Sequence, residues 1–201
     1  IGADFIGNDP VSLILGDNIF YGHGMSGALK EAAKLTEGAL IFAYYVSDPE
    51  RYGVVTFDET EKAVQLEEKP VQPLSSYAVP GLYFYGPDVV GWARDLKPSA
   101  RGELEITDLN RIYLEQGRLR VQVLGRGVAW LDTGTNRSLM EAGQFVQAIE
   151  ERQGLKIACL EEIAWIQGWI DSDGVRTACD RMGKSAYAAY LRTMLNRQII
   201  R

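Results

Sequence analysis

Short apolar runs alternate with segments of helical periodicity along the first 155 residues of this chain. The runs end at glycine, proline or acidic residues, which is typical of β-strands. The predicted strands are Val11–Leu15, Ala39–Val46, Tyr52–Phe57, Ala63–Glu68, Gly81–Tyr85, Leu119–Leu124 and Val128–Asp132. Apolar residues spaced by three and four predict helices at Met25–Leu35, Pro87–Leu96, Leu104–Tyr113 and Asn136–Arg152. This alternation predicts an α/β fold in which helices flank the sheet.

Three details of the pattern predict specific local structure. Val11–Leu15 is almost continuously apolar, which favours a strand covered on both faces. Tyr52–Phe57 and Ala63–Glu68 flank a short polar segment and predict an antiparallel hairpin. The helix Asn136–Arg152 carries an apolar stripe that we expect in the core, formed by Leu139, Ala142, Phe145, Val146 and Ile149.

After the last predicted strand, the pattern is helical. Two or three helices are expected in residues 161–201, including Ile163–Gly168 and Ala186–Gln198. We therefore divide the chain into a sheet domain, residues 1–155, and a helical appendage, residues 156–201. No flexible linker is visible between them, so the appendage is expected to pack on the sheet domain.

Composition limits the kinds of partner. The 201 residues carry a net charge of −6, which argues against nucleic acid or an anionic membrane as a partner. No run of eighteen apolar residues and no secretory signal is visible. Cys159 and Cys179 lack metal-binding spacing and are interpreted as free thiols in a reducing compartment, with the cytoplasm as the default. Ile1 is followed almost at once by a strand, which suggests a start partway through a domain.

Aspartates follow or end two of the predicted strands. Asp17 comes just after Val11–Leu15, and Asp132 ends Val128–Asp132. Ligands of open α/β sheets lie at the carboxyl ends of strands, and two carboxylates there suit a Mg²⁺ ion that holds phosphates. Each aspartate alone is better explained as a turn residue that begins the next helix, but the pair favours a metal.

Two further clusters could bind an anionic substrate. Lys69 follows Glu68 at a strand end, and Pro70 restricts the direction of its ammonium, so Lys69 could act as a point charge for a phosphate. Glu68 could accept hydrogen bonds from substrate hydroxyls. Arg101 precedes a glycine in the loop before the helix Leu104–Tyr113, which suits bidentate phosphate recognition. The alternatives are a solvated strand end and an ordinary helix entry.

Local rules add weaker signals around these clusters. Thr107 or Ser99 is the expected N-cap of the helix after Arg101, and nearby acids complement its macrodipole. Gly53 at a strand start allows a backbone N–H to approach a ligand closely.

Two tyrosines and the single histidine are weaker indicators of a catalytic or binding role. Tyr83 and Tyr85 share one face of their strand, so one could line a pocket, although such pairs are more often core. His23 is the only histidine. No serine or cysteine stands in a recognisable nucleophile motif, so acid–base or covalent catalysis is poorly supported.

Five segments together resemble the sugar-nucleotide nucleotidyltransferases, most closely the branch that uses dTTP and glucose 1-phosphate. They occur in the family's order and spacing, and they are Leu15–Gly22, Pro49–Val55, Glu67–Pro70, Ser99–Asp108 and Trp130–Gly134. Glu67–Pro70 is shared by many sugar nucleotidyltransferases, whereas the block Arg101–Asp108 is more particular to this branch. The resemblance implies a Rossmann-like, GT-A-like mixed sheet. It also implies synthesis of dTDP-glucose and pyrophosphate, which serves deoxysugars such as rhamnose and cell-surface polysaccharide.

The resemblance implies roles for single residues. Asp17 and Asp132 would hold Mg²⁺, and Lys69 and Arg101, the catalytic candidates, would meet the sugar 1-phosphate. The substrate-binding candidates are Tyr52, Gly53, Glu68, Lys69, Val79, Tyr83, Arg101 and Trp130. An effector pocket for the end-product sugar nucleotide is associated with Gly22, His23, Gly125 and Arg126. No protein nucleophile is needed, since catalysis is mostly positioning and neutralisation of charge.

The chain departs from the family at two points. Pro80 stands where the family usually has threonine, which removes an N–H beside the expected sugar site and leaves the sugar stereochemistry open. The family's Gly-rich nucleotide-binding loop, with its arginine and lysine, has no counterpart in these 201 residues. We therefore expect the chain to be inactive by itself, and to expose apolar edge surface where the family has further strands.

Several alternatives stay open. UTP could replace dTTP, because the base contacts belong largely to the absent segment. A sugar-phosphate-binding module without turnover is a second alternative. A metal-dependent glycosyltransferase is weaker, since its metal usually rests on acids close in sequence, while Asp17 and Asp132 are far apart. Family members are typically homotetramers with the effector site between subunits, so a homo-oligomer is expected.

Overall fold

The computed structural model describes residues 2–196. Its strands are β1 (Val11–Ile14), β2 (Asn18–Gly22), β3 (Ala39–Tyr45), β4 (Gly53–Phe57), β5 (Ala63–Glu68), β6 (Tyr77–Ala78), β7 (Leu82–Tyr85), β8 (Leu119–Val123) and β9 (Val128–Asp132). Its helices are α1 (Ala3–Ile6), α2 (Met25–Ala32), α3 (Val89–Asp95), α4 (Ile106–Glu115), α5 (Asn136–Gln153), α6 (Leu160–Ile166), α7 (Ser172–Met182) and α8 (Ala186–Asn196), with a 3₁₀ turn at Pro49–Arg51. No helix in residues 2–196 is long and apolar enough to cross a membrane.

The chain divides into two compact units, Ile1–Ala142, which contains all these strands, and Gly143–Arg201. The main sheet has the order β1-β7-β3-β6-β4-β5, and β8 pairs with β3 in parallel. The remaining pairings are antiparallel, and the predicted hairpin is confirmed as β4–β5. β2 and β9 form a separate antiparallel ribbon. The hydrophobic pattern does not predict the short strands β2 and β6.

The core of the first unit lies on both faces of β3 and β7. Successive side chains of a strand point to opposite faces. Ile41 and Tyr83 accordingly lie in one buried cluster with Tyr113 of α4, whereas Phe42 and Phe84 lie in another. The rings of Phe42 and Phe84 meet edge to face, with centres 6.3 Å apart. Burial on both faces explains the continuous apolar sequence of β3.

Strand β1 is not covered on both faces, contrary to the expectation for Val11–Leu15. It lies at the edge of the main sheet, where β7 is its only strand partner among residues 2–196, and Leu13 and Ile14 are 43% and 57% exposed. An apolar run indicates a preference for burial but does not reveal whether an element packs on each face of the strand or whether a strand pairs on each side. The expected exposed apolar edge is therefore present at β1.

The apolar stripe of α5 is not core either. Ala142 is buried, whereas Leu139 is exposed, and the stripe's other members are half-buried. An amphipathic pattern shows which face of a helix would be buried, but burial also requires an element packed against that face.

The second unit contains the helices expected beyond the last strand. α6 begins at Leu160 and α8 at Ala186, while Gln198 lies outside the described residues. A buried cluster joins these helices and includes Cys159, Cys179, Val175, Leu191 and Met194. Both cysteines are free thiols.

Candidate active site

The ribbon of β2 and β9 brings the two candidate metal ligands together. Asp17 immediately precedes β2, and Asp132 ends β9 opposite Asn18. The Asp17 carbonyl accepts hydrogen bonds from the Thr133 backbone N–H at 2.7 Å and from its hydroxyl at 2.9 Å. Both carboxylates face Gly134, because a Cβ there would lie 3.2 Å from Asp132 Oδ1 and 3.5 Å from Asp17 Oδ2.

This arrangement differs from the expected one, in which both aspartates follow strands of a single open sheet. Asp132 does end a strand, but that strand belongs to the ribbon, and Asp17 lies in the turn before β2. Local sequence patterns locate strand ends without identifying the pairing partner. Antiparallel pairing places the start of β2 beside the end of β9, so the carboxylates still converge.

The carboxylate pair suits Mg²⁺ bound together with phosphates. Mg²⁺ commonly binds through one or two carboxylates plus water and substrate phosphates, instead of an all-protein cage. The Gly134 N–H donates to Asp132 Oδ1 at 3.1 Å and so orients that carboxylate. Among residues 2–196, no group of three or more His, Cys, Asp or Glu side chains could hold a metal. Two hard oxygen donors therefore fit a substrate-linked cation better than a structural one.

Asn18 connects the carboxylate pair to neighbouring segments. Its side-chain oxygen accepts hydrogen bonds from the Trp130 indole at 2.7 Å and from the Gly81 N–H at 2.9 Å, and its amide donates to Asp17 Oδ1 at 2.8 Å. A local sequence pattern does not single out Asn18, because Gly-Asp-Asn after an apolar run indicates only a turn.

The sugar-side candidates meet where β4, β5 and α4 adjoin. Gly53 lies opposite Glu68, and the Val79 N–H donates to the Gly53 carbonyl at 2.8 Å. The Thr107 hydroxyl donates to Glu68 Oε2 at 2.5 Å. A Cβ at Gly53 would lie 2.8 Å from that hydroxyl and 3.1 Å from the same carboxylate oxygen. Gly53 therefore permits the close approach of Thr107 to the hairpin.

Neither Thr107 nor Ser99 is the N-cap of α4, contrary to expectation. Glu105 occupies that position, and its side chain makes no capping hydrogen bond. The Thr107 hydroxyl bonds Glu68 instead, and the Ser99 hydroxyl donates to Glu105 Oε1 at 3.1 Å. Both hydroxyls therefore bond carboxylates instead of the free backbone N–H groups at the start of α4.

Arg101 lies among three acids. Its guanidinium is 3.8 Å from Glu68 Oε1 and 3.8 Å from the buried Glu105 carboxylate, and it donates to Glu103 at 3.3 Å. The Arg101 side chain is 41% exposed. Two of its three ion pairs are 3.8 Å long. The guanidinium therefore lies near Glu68 and remains accessible to an incoming anion.

Lys69 occupies an unusual backbone position directly after β5. Its φ is +44°, in the left-handed region that non-glycine residues seldom adopt, and its N–H donates to the Tyr52 carbonyl at 2.9 Å. The side chain is exposed, and its ammonium makes no ion pair or hydrogen bond with the described residues. The backbone therefore fixes where the Lys69 side chain begins, and the positive charge of its ammonium has no acidic partner among the described residues.

Aromatic side chains join the two clusters. Tyr52, just before β4, packs against Trp130 of the ribbon with ring centres 5.0 Å apart. Burial raises the pKa of the Tyr83 phenol, and the carboxylates of Glu68 and Asp17 raise it further. One carboxylate from each cluster is thus within electrostatic reach of Tyr83. Burial also raises the pKa of Tyr52.

The candidate effector residues lie toward the other end of the ribbon, and they are Gly22, His23, Gly125 and Arg126. Gly22 pairs with Val128, whose N–H donates to the Gly125 carbonyl at 3.3 Å. A Cβ at Gly22 would lie 2.5 Å from the Gly127 carbonyl oxygen. The structure brings Gly22 against the turn that precedes β9, whereas Asp132 lies at the end of that strand.

Sequence similarity identifies the family. A family model for nucleotidyl transferases matches residues 1–149. The chain belongs to the nucleotidyl transferase family. The glucose-1-phosphate thymidylyltransferases of Neisseria meningitidis and Mycolicibacterium smegmatis are each 57% identical to this chain, over 197 and 198 residues. Each match covers 98% of this chain and 68% of the relative. The resemblance inferred from the motifs is confirmed.

Solved structures of nucleotidyltransferases share the fold. A Bacillus anthracis protein assigned as a glucose-1-phosphate thymidylyltransferase, in complex with sucrose, matches with a TM-score of 0.63 and 44% identity. That match covers 72% of this chain and 57% of the other chain. Apo UDP-glucose pyrophosphorylase matches with a TM-score of 0.61 at 23% identity, over 75% of this chain and 58% of that chain, which supports the fold alone. The expected α/β nucleotidyltransferase fold is confirmed in a chain about two thirds as long as its curated relatives.

Proposed function

We propose that this chain provides the sugar-phosphate and metal sites of a Mg²⁺-dependent glucose-1-phosphate thymidylyltransferase. The reaction joins dTTP and glucose 1-phosphate into dTDP-glucose and pyrophosphate. The packing of Tyr52 against Trp130 is the observation that carries the proposal, because it joins a sugar-phosphate cluster to a carboxylate pair suited to a cation. The names of the curated relatives support the choice of substrates.

At the sugar side, the proposed roles follow from charge and hydrogen-bonding capacity. Thr107 holds one oxygen of Glu68, which leaves the other carboxylate oxygen for a sugar hydroxyl. Lys69 and Arg101 supply two positive charges for the sugar 1-phosphate, Lys69 as a point charge and Arg101 as a planar fork. The backbone of Gly53, whose carbonyl accepts a hydrogen bond from the Val79 N–H, forms the wall of the site beside Glu68.

At the phosphate-transfer side, Asp17 and Asp132 would hold Mg²⁺, which neutralises charge on the phosphates. An oxygen of the sugar phosphate attacks the α-phosphorus of dTTP, and the bond to pyrophosphate breaks as the new P–O bond forms. Lys69 and Arg101 keep the attacking phosphate in line, so the protein contributes by orientation and electrostatics. No residue of the chain becomes covalently attached.

The test measures Mg²⁺-dependent pyrophosphate release from glucose 1-phosphate with dTTP or UTP. It compares the 201-residue chain with a chimera that adds the remaining third of the N. meningitidis relative. The chain alone should be inactive, and the chimera should turn over with dTTP. Asp132→Asn in the chimera should lower turnover by at least about a hundredfold, because a cation ligand is lost without a change in core volume. Asp9→Asn, which removes an exposed carboxylate elsewhere, should leave turnover unchanged.

Other outcomes would redirect the assignment. Glucose 1-phosphate binding that is lost in Lys69→Ala, without turnover by the chimera with either triphosphate, would favour the non-catalytic binding module. Near-normal Mg²⁺-dependent turnover in Asp132→Asn would contradict the metal assignment.

We also propose where the enzyme acts, how it assembles and where an effector binds. We place it in the cytoplasm, as a homotetramer that supplies dTDP-glucose for rhamnose and cell-surface polysaccharide synthesis. The end-product sugar nucleotide would bind at the turn shared by Gly22 and Gly125, together with His23 and Arg126.

A further inference from the structure

The orientation of the Asn18 side chain is fixed by its partners. An indole N–H and a backbone N–H can only donate hydrogen bonds, so the Asn18 oxygen must face Trp130 and Gly81. The NH₂ group is thereby directed at Asp17, whose Oδ1 it contacts at 2.8 Å. The three hydrogen bonds determine which atom of the amide is which.

The contact between Asn18 and Gly81 is built closely. A Cβ at position 81 would lie 2.9 Å from Asn18 Nδ2 and 2.7 Å from Leu15 Cδ1. Any side chain at position 81 would therefore displace the side chain of Asn18 or Leu15. The segment that carries Val79 and Gly81 is thus linked sterically, as well as by a hydrogen bond, to the carboxylate pair.

The three oxygens of Asp17 have different surroundings. The backbone carbonyl accepts from Thr133, and Oδ1 accepts from Asn18. Oδ2 is left facing Gly134, beside the carboxylate of Asp132. The Asn18 amide therefore selects which Asp17 oxygen is turned toward the second carboxylate.

We propose that Asn18 is a positioning residue, which orients the Asp17 carboxylate for a divalent cation and couples that orientation to Trp130 and Gly81. The inference rests on the metal site of the proposed function and adds the residue that sets its geometry. Asn18 acts through Asp17 and takes no part in coordination. A hydrogen-bond partner of a ligating carboxylate typically affects metal affinity by about 10–100-fold.

The test titrates Mn²⁺ into the 201-residue chain and follows the electron paramagnetic resonance signal of the free ion. Asn18→Ala should raise the Mn²⁺ dissociation constant by about 10–100-fold. Trp130→Phe removes the indole donor together with the five-membered ring but leaves the Asn18 amide and its Gly81 contact, so it should raise the constant less, in the same direction. Circular dichroism at the titration temperature establishes that each variant is folded.

A matched control separates positioning from general loosening of the ribbon. The Tyr44 hydroxyl donates to the Val128 carbonyl at 3.0 Å, and its ring packs against Trp130. Tyr44→Phe removes this hydrogen bond without touching Asn18, and it should leave Mn²⁺ affinity unchanged. Equal weakening in Tyr44→Phe and Asn18→Ala would overturn the inference.

Two further results distinguish failure of the inference from failure of the metal site. Wild-type affinity in Asn18→Ala, with binding lost in Asp132→Asn, would overturn the role of Asn18 and leave the proposed function standing. If the unmodified chain binds no Mn²⁺, the same titrations are made with the chimera and dTTP, and absence of binding there too would overturn the metal site and the inference together.

Discussion

The guanidinium of Arg51 lies 3.8 Å from the Asp132 carboxylate and 5.2 Å from the centre of the Tyr52 ring. It also donates a 2.8 Å hydrogen bond to Asp48. Arg51 therefore contacts Asp132 of the carboxylate pair and also Tyr52, one of the substrate-binding candidates. Arg51 belongs to the family-like segment Pro49–Val55, but the resemblance implies no role for it.

Arg51→Gln should tighten Mn²⁺ binding by up to about tenfold. A positive charge near a ligand carboxylate opposes the arrival of a second cation, although solvent screens this half-exposed pair. The measurement is the Mn²⁺ dissociation constant at low salt. Arg137→Gln removes an equal charge from an exposed pair with Glu141 and should have no effect. Weaker binding in Arg51→Gln would show instead that Arg51 holds Asp132 in place.

Gly53→Ala should weaken glucose 1-phosphate binding by about tenfold or more. The added Cβ would lie 2.8 Å from the Thr107 hydroxyl, so Thr107 or Glu68 must move and their hydrogen bond must lengthen. Loss of a hydrogen bond to a charged group costs about 1.5–3 kcal/mol. Isothermal titration calorimetry with glucose 1-phosphate gives the affinity.

A glycine in open space provides the control for Gly53→Ala. Gly91 lies in α3, and a Cβ there would meet no atom within 4 Å. Gly91→Ala should therefore leave binding unchanged and stabilise the helix by up to about 1 kcal/mol. Unaltered binding in Gly53→Ala would argue against the sugar pocket.

Asp88→Asn should lower the free energy of unfolding at pH 7 by about 1–2 kcal/mol. Burial tends to raise the pKa of the Asp88 carboxyl, but hydrogen bonds from Arg118, Trp92 and Tyr113 outweigh it, so the pKa is lowered. Their lengths are 2.8, 3.3 and 3.1 Å. This stabilisation is present above the pKa of the unfolded chain, near 3.9, and is lost as pH falls through the lower folded pKa.

Urea unfolding of wild type and Asp88→Asn between pH 7 and 3.5 measures this effect. The difference between them should be constant near neutrality and should narrow below about pH 4. Asp95→Asn changes the charge of an exposed residue by the same amount and should show no such dependence. A difference that grows on acidification would contradict the proposed role of Asp88.

The helix and strand segments with strong local patterns were predictable from sequence. The β4–β5 hairpin closes over a short polar segment, and β3 is apolar because both of its faces are buried. Both signals are contained within the segment that they describe. The candidate residues Asp17 and Asp132 were found for the same reason, since each adjoins an apolar run.

Features that depend on distant partners were not predictable. The oxygen of Asn18 binds groups 63 and 112 residues away along the chain, and nothing near Asn18 identifies them. Thr107 caps no helix because Glu68, 39 residues earlier, accepts its hydroxyl. Edge exposure of β1 likewise depends on sheet order, which residues 11–14 do not encode.

Ile14→Lys should reduce self-association of the chain. Unpaired edge strands with apolar side chains favour pairing with another chain, and a lysine at the edge opposes it. The measurement is the molar mass from light scattering across a range of concentrations. Val71→Lys, in an exposed loop, is the matched control. Equal association of wild type and Ile14→Lys would show that β1 is not the contact.

Asp17 and Thr133 are hydrogen-bonded although 116 residues separate them. A ribosome adds about 5–20 residues per second, so Asp17 is added to the chain about 6–23 s before Thr133. The β4–β5 hairpin, complete by residue 68, can form during that interval. The sugar-side strands β4 and β5 are thus synthesised before β9, and a message cut short before the codon for Val128 would encode Asp17 without Asp132.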